Sequence, residues 1–264
     1  MTKRLDNPDW HHAVANLVRP NNDRGIAAAL VNVIASTVEH NATCLLAFYR
    51  DAPPDVLHHT MTPSRARHYL DRYLAGPYLL DPLYQLALRK KKPSMCRCRD
   101  ETPDRFRSSE YYRQYYERTH LADEMDFILD ADAKTTLVLV VGRWETRFSR
   151  SDVGSFAAIE PIVRAAMMRI WDEWSARHSE DERDLSMHQR LTQCFDSFGE
   201  TDLTQRERQI TQLLLRGHSS KSIARELGIA PGTVMVHKRN LFSKLGITSQ
   251  YELFSLFIDK LSAL

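Results

Sequence analysis

Residues 231–245, PGTVMVHKRNLFSKL, place hydrogen-bond donors and small side chains at helical spacing. At about 100° of rotation per residue, Val234, Leu241 and Leu245 fall on one line and must pack inward. Gly232, Val236, Arg239 and Ser243 fall roughly opposite, flanked by Met235 and Asn240, with Thr233 in the first turn. The outward face is narrow, mostly small, and carries a guanidinium. A rod of this kind fits a major groove, where side chains reach the base edges. His237, Lys238 and Arg239 bring donors to the phosphates. The chemistry expected is recognition of double-stranded DNA, without catalysis.

Such a rod needs a rigid mount, and the flanking sequence supplies one. Thr204 suits a helix N-cap, and Glu207 three residues later completes a capping box. The helix that follows buries Ile210, Leu213 and Leu214 and ends at Gly217, where a left-handed cap is favoured. A second helix is expected over Ser220–Leu227, burying Ile223, Ala224 and Leu227, with Gly228 in a tight turn and Pro231 opening the third helix. Ser249 and Glu252 form another capping box for a fourth, which carries Phe254 and Phe257. Two short helices joined by a glycine turn are a helix-turn-helix.

The string Leu203–Leu253 resembles the LuxR-type (GerE-like) DNA-binding domain in its Leu-Thr, Arg-Glu, Gly-x-Ser, Ile-Ala, Thr-Val, His, Asn and Lys-Leu-Gly positions. The resemblance implies that Met235, Val236 and Arg239 face bases, that Thr233, His237 and Lys238 lie near the backbone, and that the fourth helix pairs two copies into a dimer. Met235 stands where the family usually has lysine, and Gln250 where it often has arginine. Both departures remove a cation, which implies weaker phosphate attraction.

The first part of the chain has mixed patterns. Helices are expected over Ile26–Val38, Ser64–Leu74, Asp81–Lys90, Ser108–Thr119 and Ser151–Trp174, and strands over Cys44–Tyr49, Val56–Met61, Glu124–Leu129 and Thr135–Gly142. These give an α+β, PAS/GAF-like sensor domain, an antiparallel sheet with flanking helices, ahead of an all-α four-helix domain. The expected organisation is a ligand-sensing, dimerising domain over 1–176, a charge-dense linker over 177–202 and a helix-turn-helix domain over 203–264.

Aromatic residues gather between Tyr69 and Phe127, and apolar walls with few polar groups are what a small-molecule pocket needs. Ser64–Cys98 is weakly similar to the autoinducer-binding domain of acyl-homoserine-lactone receptors, where an aromatic pair precedes Asp-Pro much as Tyr69 and Tyr73 precede Asp81-Pro82. There the aspartate binds the ligand amide. Tyr69 and Cys96 stand where tryptophan is expected. The expected ligand-facing set is Tyr69, Tyr73, Asp81, Tyr84, Cys96 and Phe106. The competing reading makes Asp81 a helix N-cap and the tyrosines ordinary core.

Composition narrows the rest. The chain has 264 residues, 43% hydrophobic and 27% charged, with 36 Lys and Arg against 34 Asp and Glu. That balance suits a folded chain and confines any basic surface to a local patch. No apolar run approaches the roughly 18 residues of a membrane helix, and Met1–Trp10 lacks a leader core, so a cytoplasmic location is expected. The four scattered cysteines make no disulfide framework. Cys96-Arg97-Cys98-Arg99 has a weak redox-sensor look, since flanking arginines lower a thiol pKa. The pairs His11-His12 and His58-His59 and the carboxylates Asp123, Glu124 and Asp126 suggest no metal site or active site on their own. Hydrolase, zincin, phosphate-loop and dinucleotide motifs are missing, and no receiver-type acidic pair is found. No catalytic residue and no cofactor is therefore expected. The partners expected are double-stranded DNA, a small-molecule effector, a second copy of the chain and RNA polymerase. Rival readings make the first domain a dimerisation or docking unit only, or an enzyme.

Overall fold

The computed structural model describes residues 7–19, 21–178 and 185–262. They divide into two compact units. One comprises Met1–Ala66, Leu86–Asp100 and Leu121–Asp184; the other comprises Arg67–Gln85, Glu101–His120 and Leu185–Leu264. Two segments expected in the sensor domain thus cluster with the C-terminal helices.

The first unit is built on a five-stranded antiparallel sheet: β1 (Ala42–Tyr49), β2 (Asp55–His59), β3 (Met95–Arg97), β4 (Asp123–Asp130) and β5 (Thr135–Arg143), in the order β2-β1-β5-β4-β3. β4 and β5 form the expected hairpin, with Asp130 opposite Thr136. Because strand side chains alternate, Leu45, Ala47 and Tyr49 on β1, Met125, Phe127 and Leu129 on β4, and Leu137, Leu139 and Val141 on β5 share one face. Three helices complete this core: α1 (Pro8–Val18), α2 (Asp23–Ala35) and α3 (Arg150–Ser175). The long helix α3 begins at a capping box of Ser149 and Asp152 and lays Phe156, Ile159, Val163, Met167 and Ile170 inward. Each such buried side chain contributes ~1.5–3 kcal/mol. The fold is of the expected α+β type, an antiparallel sheet with flanking helices; β3 and α1 are additions to the elements foreseen.

Two expected helices are irregular. The Ser64–Leu74 stretch splits into Pro63–Ala66, a wide π turn over Arg67–Asp71, and Arg72–Leu74. The Ser108–Thr119 stretch is a 3₁₀ turn, a π turn over Tyr112–Tyr116 and a second 3₁₀ turn. Its tyrosines stack in pairs, Tyr111 on Tyr115 and Tyr112 on Tyr116, with ring centroids 5.9 and 5.5 Å apart.

The second unit contains α4 (Leu185–Asp196), α5 (Gln205–Leu215), α6 (Ser220–Leu227), α7 (Pro231–Lys244) and α8 (Gln250–Ser262). Of the expected linker, 179–184 lie outside the described residues, and α4 occupies much of the remainder. Leu191, Cys194, Phe195 and Phe198 are buried there, and the Phe195 and Phe198 rings meet Phe257 of α8 edge-on at 5.4 and 5.6 Å. Among the described residues no helix is long and apolar enough to cross a membrane.

Candidate functional site

The three helices α5, α6 and α7 hold one another through local signals already present in the chain. Thr204 and Glu207 form the capping box of α5, and Glu207 also takes an ion pair from Lys244 of α7 at 2.7 Å. Burial raises the Glu207 pKa, but Lys244 and the Thr204 backbone and hydroxyl outweigh it and hold the carboxylate below its ordinary value. Ser219 caps α6 by accepting from Ser222 N–H at 3.1 Å. Gly228 then adopts φ +64°, a left-handed turn that a side chain disfavours, and Pro231 opens α7.

Helix α7 turns the expected residues outward. Val234 and Leu241 are fully buried, while Met235 is 65% and Val236 46% exposed. Thr233, Arg239 and Asn240 are exposed, and His237 and Lys238 are half-buried. The Lys238 ammonium lies 5.2 Å from the centre of the Phe242 ring. Burial lowers its pKa, and the charge of Arg105 lowers it further.

Arg105 belongs to a strap that meets the start of α6. Asp104 accepts from Ser219 N–H at 2.9 Å and from the Ser219 hydroxyl. Arg105 N–H donates to Gly217 C=O at 3.1 Å. Gly217 has φ +89°, which disfavours a side chain, and a Cβ there would stand a tight 3.2 Å from the Phe106 backbone, so both conformation and space favour glycine.

The same unit contains an aromatic cluster. The Tyr73 hydroxyl donates to Asp81 at 2.7 Å, and Leu83 N–H donates to the other Asp81 oxygen at 2.9 Å. Asp81 thus caps the short helix Pro82–Ala87, the reading weighed against a ligand-facing role, and also accepts from Tyr73. Burial raises its pKa against the opposing pull of Tyr73, Leu83 and Tyr111. Tyr78 meets Tyr84 edge-on at 5.2 Å, lies 6.2 Å from Tyr73, and shares a 2.7 Å hydrogen bond with buried His188. Burial pushes the Tyr84 hydroxyl up to about 12.

Residues 201–257 match the family of bacterial regulatory proteins described as the luxR family, GerE. An HTH-type transcriptional regulator of the exeN 3' region of Aeromonas salmonicida is 33% identical over 157 residues, spanning 58% of this chain and 80% of that protein. The chain belongs to the LuxR family. The transcriptional regulatory protein UhpA of Escherichia coli shares 47% identity with this LuxR-family chain over 57 residues, which is 22% of the chain and 29% of UhpA. The VqsR LBD domain of Pseudomonas aeruginosa has the same fold as the N-terminal part: TM-score 0.56, 23% identity, covering 63% of this chain and 99% of that one.

Among the ligand-facing residues expected for this LuxR-family regulator, Tyr73, Asp81 and Tyr84 come together in the cluster around Tyr78. Phe106 touches Tyr111, Tyr112 and Tyr116, at 6.1, 5.4 and 5.3 Å, and so adjoins the cluster through Tyr111. Tyr69 packs edge-on against His68 at 4.9 Å, and Cys96 lies on β3 of the sheet unit. Tyr78, Tyr111 and His188 were not foreseen as members of one cluster. Tyr78 and Tyr111 stood among the noted aromatics, but nothing local links Tyr78 to a histidine 110 residues away. On α8, Phe254 and Phe257 are core, whereas Tyr251 and Leu256 are exposed.

Proposed function

We propose that this LuxR-family transcriptional regulator reads duplex DNA with the outward face of α7, as a homodimer, under the control of a small molecule bound in its N-terminal part. The observation that carries the reading is the sorting of α7. Val234 and Leu241 anchor the helix, while Thr233, Met235, Val236, Arg239 and Asn240 stand exposed on it. His237 and Lys238 flank that face with donors suited to phosphates. Within this reading the sensor is residues 1–176 and the DNA-binding domain 203–264, and the protein works in the cytoplasm beside RNA polymerase. Tyr251 and Leu256 on α8 offer apolar surface to a second copy.

The effector reading rests on the Tyr73–Asp81 hydrogen bond inside a group of aromatic rings. Apolar walls around one oriented carboxylate suit a ligand that presents an amide or a cation. A thermal-shift screen of small molecules tests it, since a ligand at 100 times its Kd adds about 2.7 kcal/mol to stability.

The DNA reading is tested by selecting duplexes from a random pool with the full chain and titrating the winners. Arg239→Ala is expected to cost about 1–3 kcal/mol and to relax preference at the base pairs it contacts. Selection that yields no preferred sequence, or an Arg239→Ala variant that binds the selected duplex as tightly as the parent, defeats the assignment of that face.

A further inference from the structure

Two motifs remain unused by this reading: Cys96-Arg97-Cys98 and Glu124-Met125-Asp126. In the fold they face each other. Residues two apart on a strand share a face, so Glu124 and Asp126 on β4 point the same way, while β3 ends at Arg97 and Cys98 opens the short helical turn Cys98–Glu101 that follows it. The antiparallel register sets Cys96 opposite Asp126 and Arg97 opposite Met125, which carries Cys98 toward Glu124. The result is a two-by-two arrangement of thiols and carboxylates at one edge of the sheet. The Cys98 sulfur and one carboxylate oxygen each from Glu124 and Asp126 lie within 4.8 Å of one another. The Cys96 sulfur is 4.0 Å from Asp126 Oδ2. Cys98, Glu124 and Asp126 are all buried, Asp126 completely.

Burial of two carboxylates side by side is costly, because each loses hydration and repels the other. A bound cation offsets both terms. The donor set narrows which cation. Mg²⁺ and Ca²⁺ take oxygen donors and leave thiols unused, and an organic ammonium gains nothing specific from sulfur. Sulfur and carboxylate together suit a borderline-soft divalent ion. Around such a tetrahedral ion neighbouring donor atoms stand about 3.5 Å apart, so closure asks for side-chain shifts of about 1 Å from the present spacing. A third sulfur borders the group, since Cys44 lies in the same cross-strand row through Val140.

We propose that Cys98, Glu124 and Asp126, with Cys96 as the fourth donor, bind one thiophilic divalent ion of the Zn²⁺ type. On binding, each ligating thiol releases its proton to water and the sulfur donates as thiolate. The site lies wholly within the sheet unit and does not depend on how α7 meets DNA.

The test uses the reduced, chelator-stripped full chain. Titration with Co²⁺ should saturate at one ion per chain and give thiolate charge-transfer and tetrahedral d–d absorption, both abolished by an equivalent of Zn²⁺. Cys98→Ser and Asp126→Asn should each weaken Co²⁺ by more than about tenfold, while His11→Ala should change nothing. In the unaltered chain, Zn²⁺ should protect Cys96 from alkylation, as located by peptide mass spectrometry; this readout holds even where a variant fails to fold. A parent chain without thiolate absorption or without Zn²⁺ protection of Cys96, or a folded Cys98→Ser chain that binds Co²⁺ as tightly as the parent, overturns the proposal.

Discussion

The carboxylate of Asp104 accepts hydrogen bonds from both the backbone N–H and the hydroxyl of Ser219, the residue that caps α6. Ser219 thereby works in two directions, since its oxygen also accepts from Ser222 N–H. The negative charge sits at a helix N-terminus, where the macrodipole favours it. Slight burial raises the Asp104 pKa, but Ser219 and His218 outweigh it and lower it overall. A carboxylate with a depressed folded pKa adds stability above its unfolded value of about 3.9, and that stability is lost as pH falls through the folded value. Asp104→Asn should therefore lower the melting temperature at pH 7 and leave the acid-side stability nearly unchanged. Asp104 is exposed, so the loss should stay within about 1 kcal/mol. Thermal melts of both chains from neutral to acid pH check this.

Glu207 makes a stronger case. It is 3% exposed and accepts from Thr204 N–H at 2.9 Å, from the Thr204 hydroxyl at 3.0 Å and from Lys244 at 2.7 Å. Glu207→Ala removes half of a capping box and leaves Lys244 without this ion pair, at an expected cost of about 2–3 kcal/mol. Because the folded pKa is depressed, the difference between parent and variant should shrink as pH falls below about 4.3. Urea unfolding followed by circular dichroism measures both.

These two residues mark what the sequence could and could not reveal. The capping box of Thr204 and Glu207 is local, three residues apart, and was legible at once. The same holds for Gly228, Pro231 and the sorting of Val234 and Leu241 from Arg239, because helix periodicity and caps act within a turn or two. Lys244, 37 residues from Glu207, was not legible as its partner. Nor was Asp104, which comes 115 residues before Ser219. The β4–β5 hairpin was readable from two strand candidates separated only by Asp130–Lys134, whereas β3 is three residues long and carries too little pattern. Helix α4 was hidden by the charged run Arg177–Arg190, which overlaps its first half; its buried apolar residues Leu191, Cys194 and Phe195 come only after that run. The π turns over Arg67–Asp71 and Tyr112–Tyr116 coincide with aromatic rings packed on one another, His68 on Tyr69 and Tyr112 on Tyr116, and helix periodicity gives no signal for such a turn.

Asp81 should behave opposite to Asp104. Burial raises its folded pKa, with Tyr73, Leu83 and Tyr111 pulling the other way. The folded chain therefore binds a proton more readily than the unfolded one, and stability declines as pH rises between about 3.9 and the raised folded value. Asp81→Asn keeps an acceptor for Leu83 N–H and removes the charge. It should leave stability at neutral pH equal or higher and remove the pH slope in that range. If the carboxylate also holds the effector, the same variant loses the effector-induced rise in melting temperature. Denaturation at several pH values, with and without a hit from the thermal-shift screen, separates the two effects.

Met235 is the sharpest handle on how the chain meets DNA. It is 65% exposed at a position where LuxR-type domains usually carry lysine, so exchanging it perturbs no packing. Each added phosphate contact steepens the dependence of log affinity on log salt by about 0.9. Met235→Lys should therefore tighten binding to every duplex by several-fold at low salt and steepen that slope by about one contact. Lys238→Ala should do the reverse, because its ammonium, held near the Phe242 ring, flanks the same face. Lys238→Ala should leave the preferred sequence unchanged, since phosphates carry no base identity, whereas Met235→Lys, at a position the family resemblance turns toward bases, should also shift preference at the base pairs beside it. Fluorescence anisotropy on one selected and one scrambled duplex, at four salt concentrations, measures slope and preference together. Slopes unmoved in both variants would remove this face of α7 from the DNA interface.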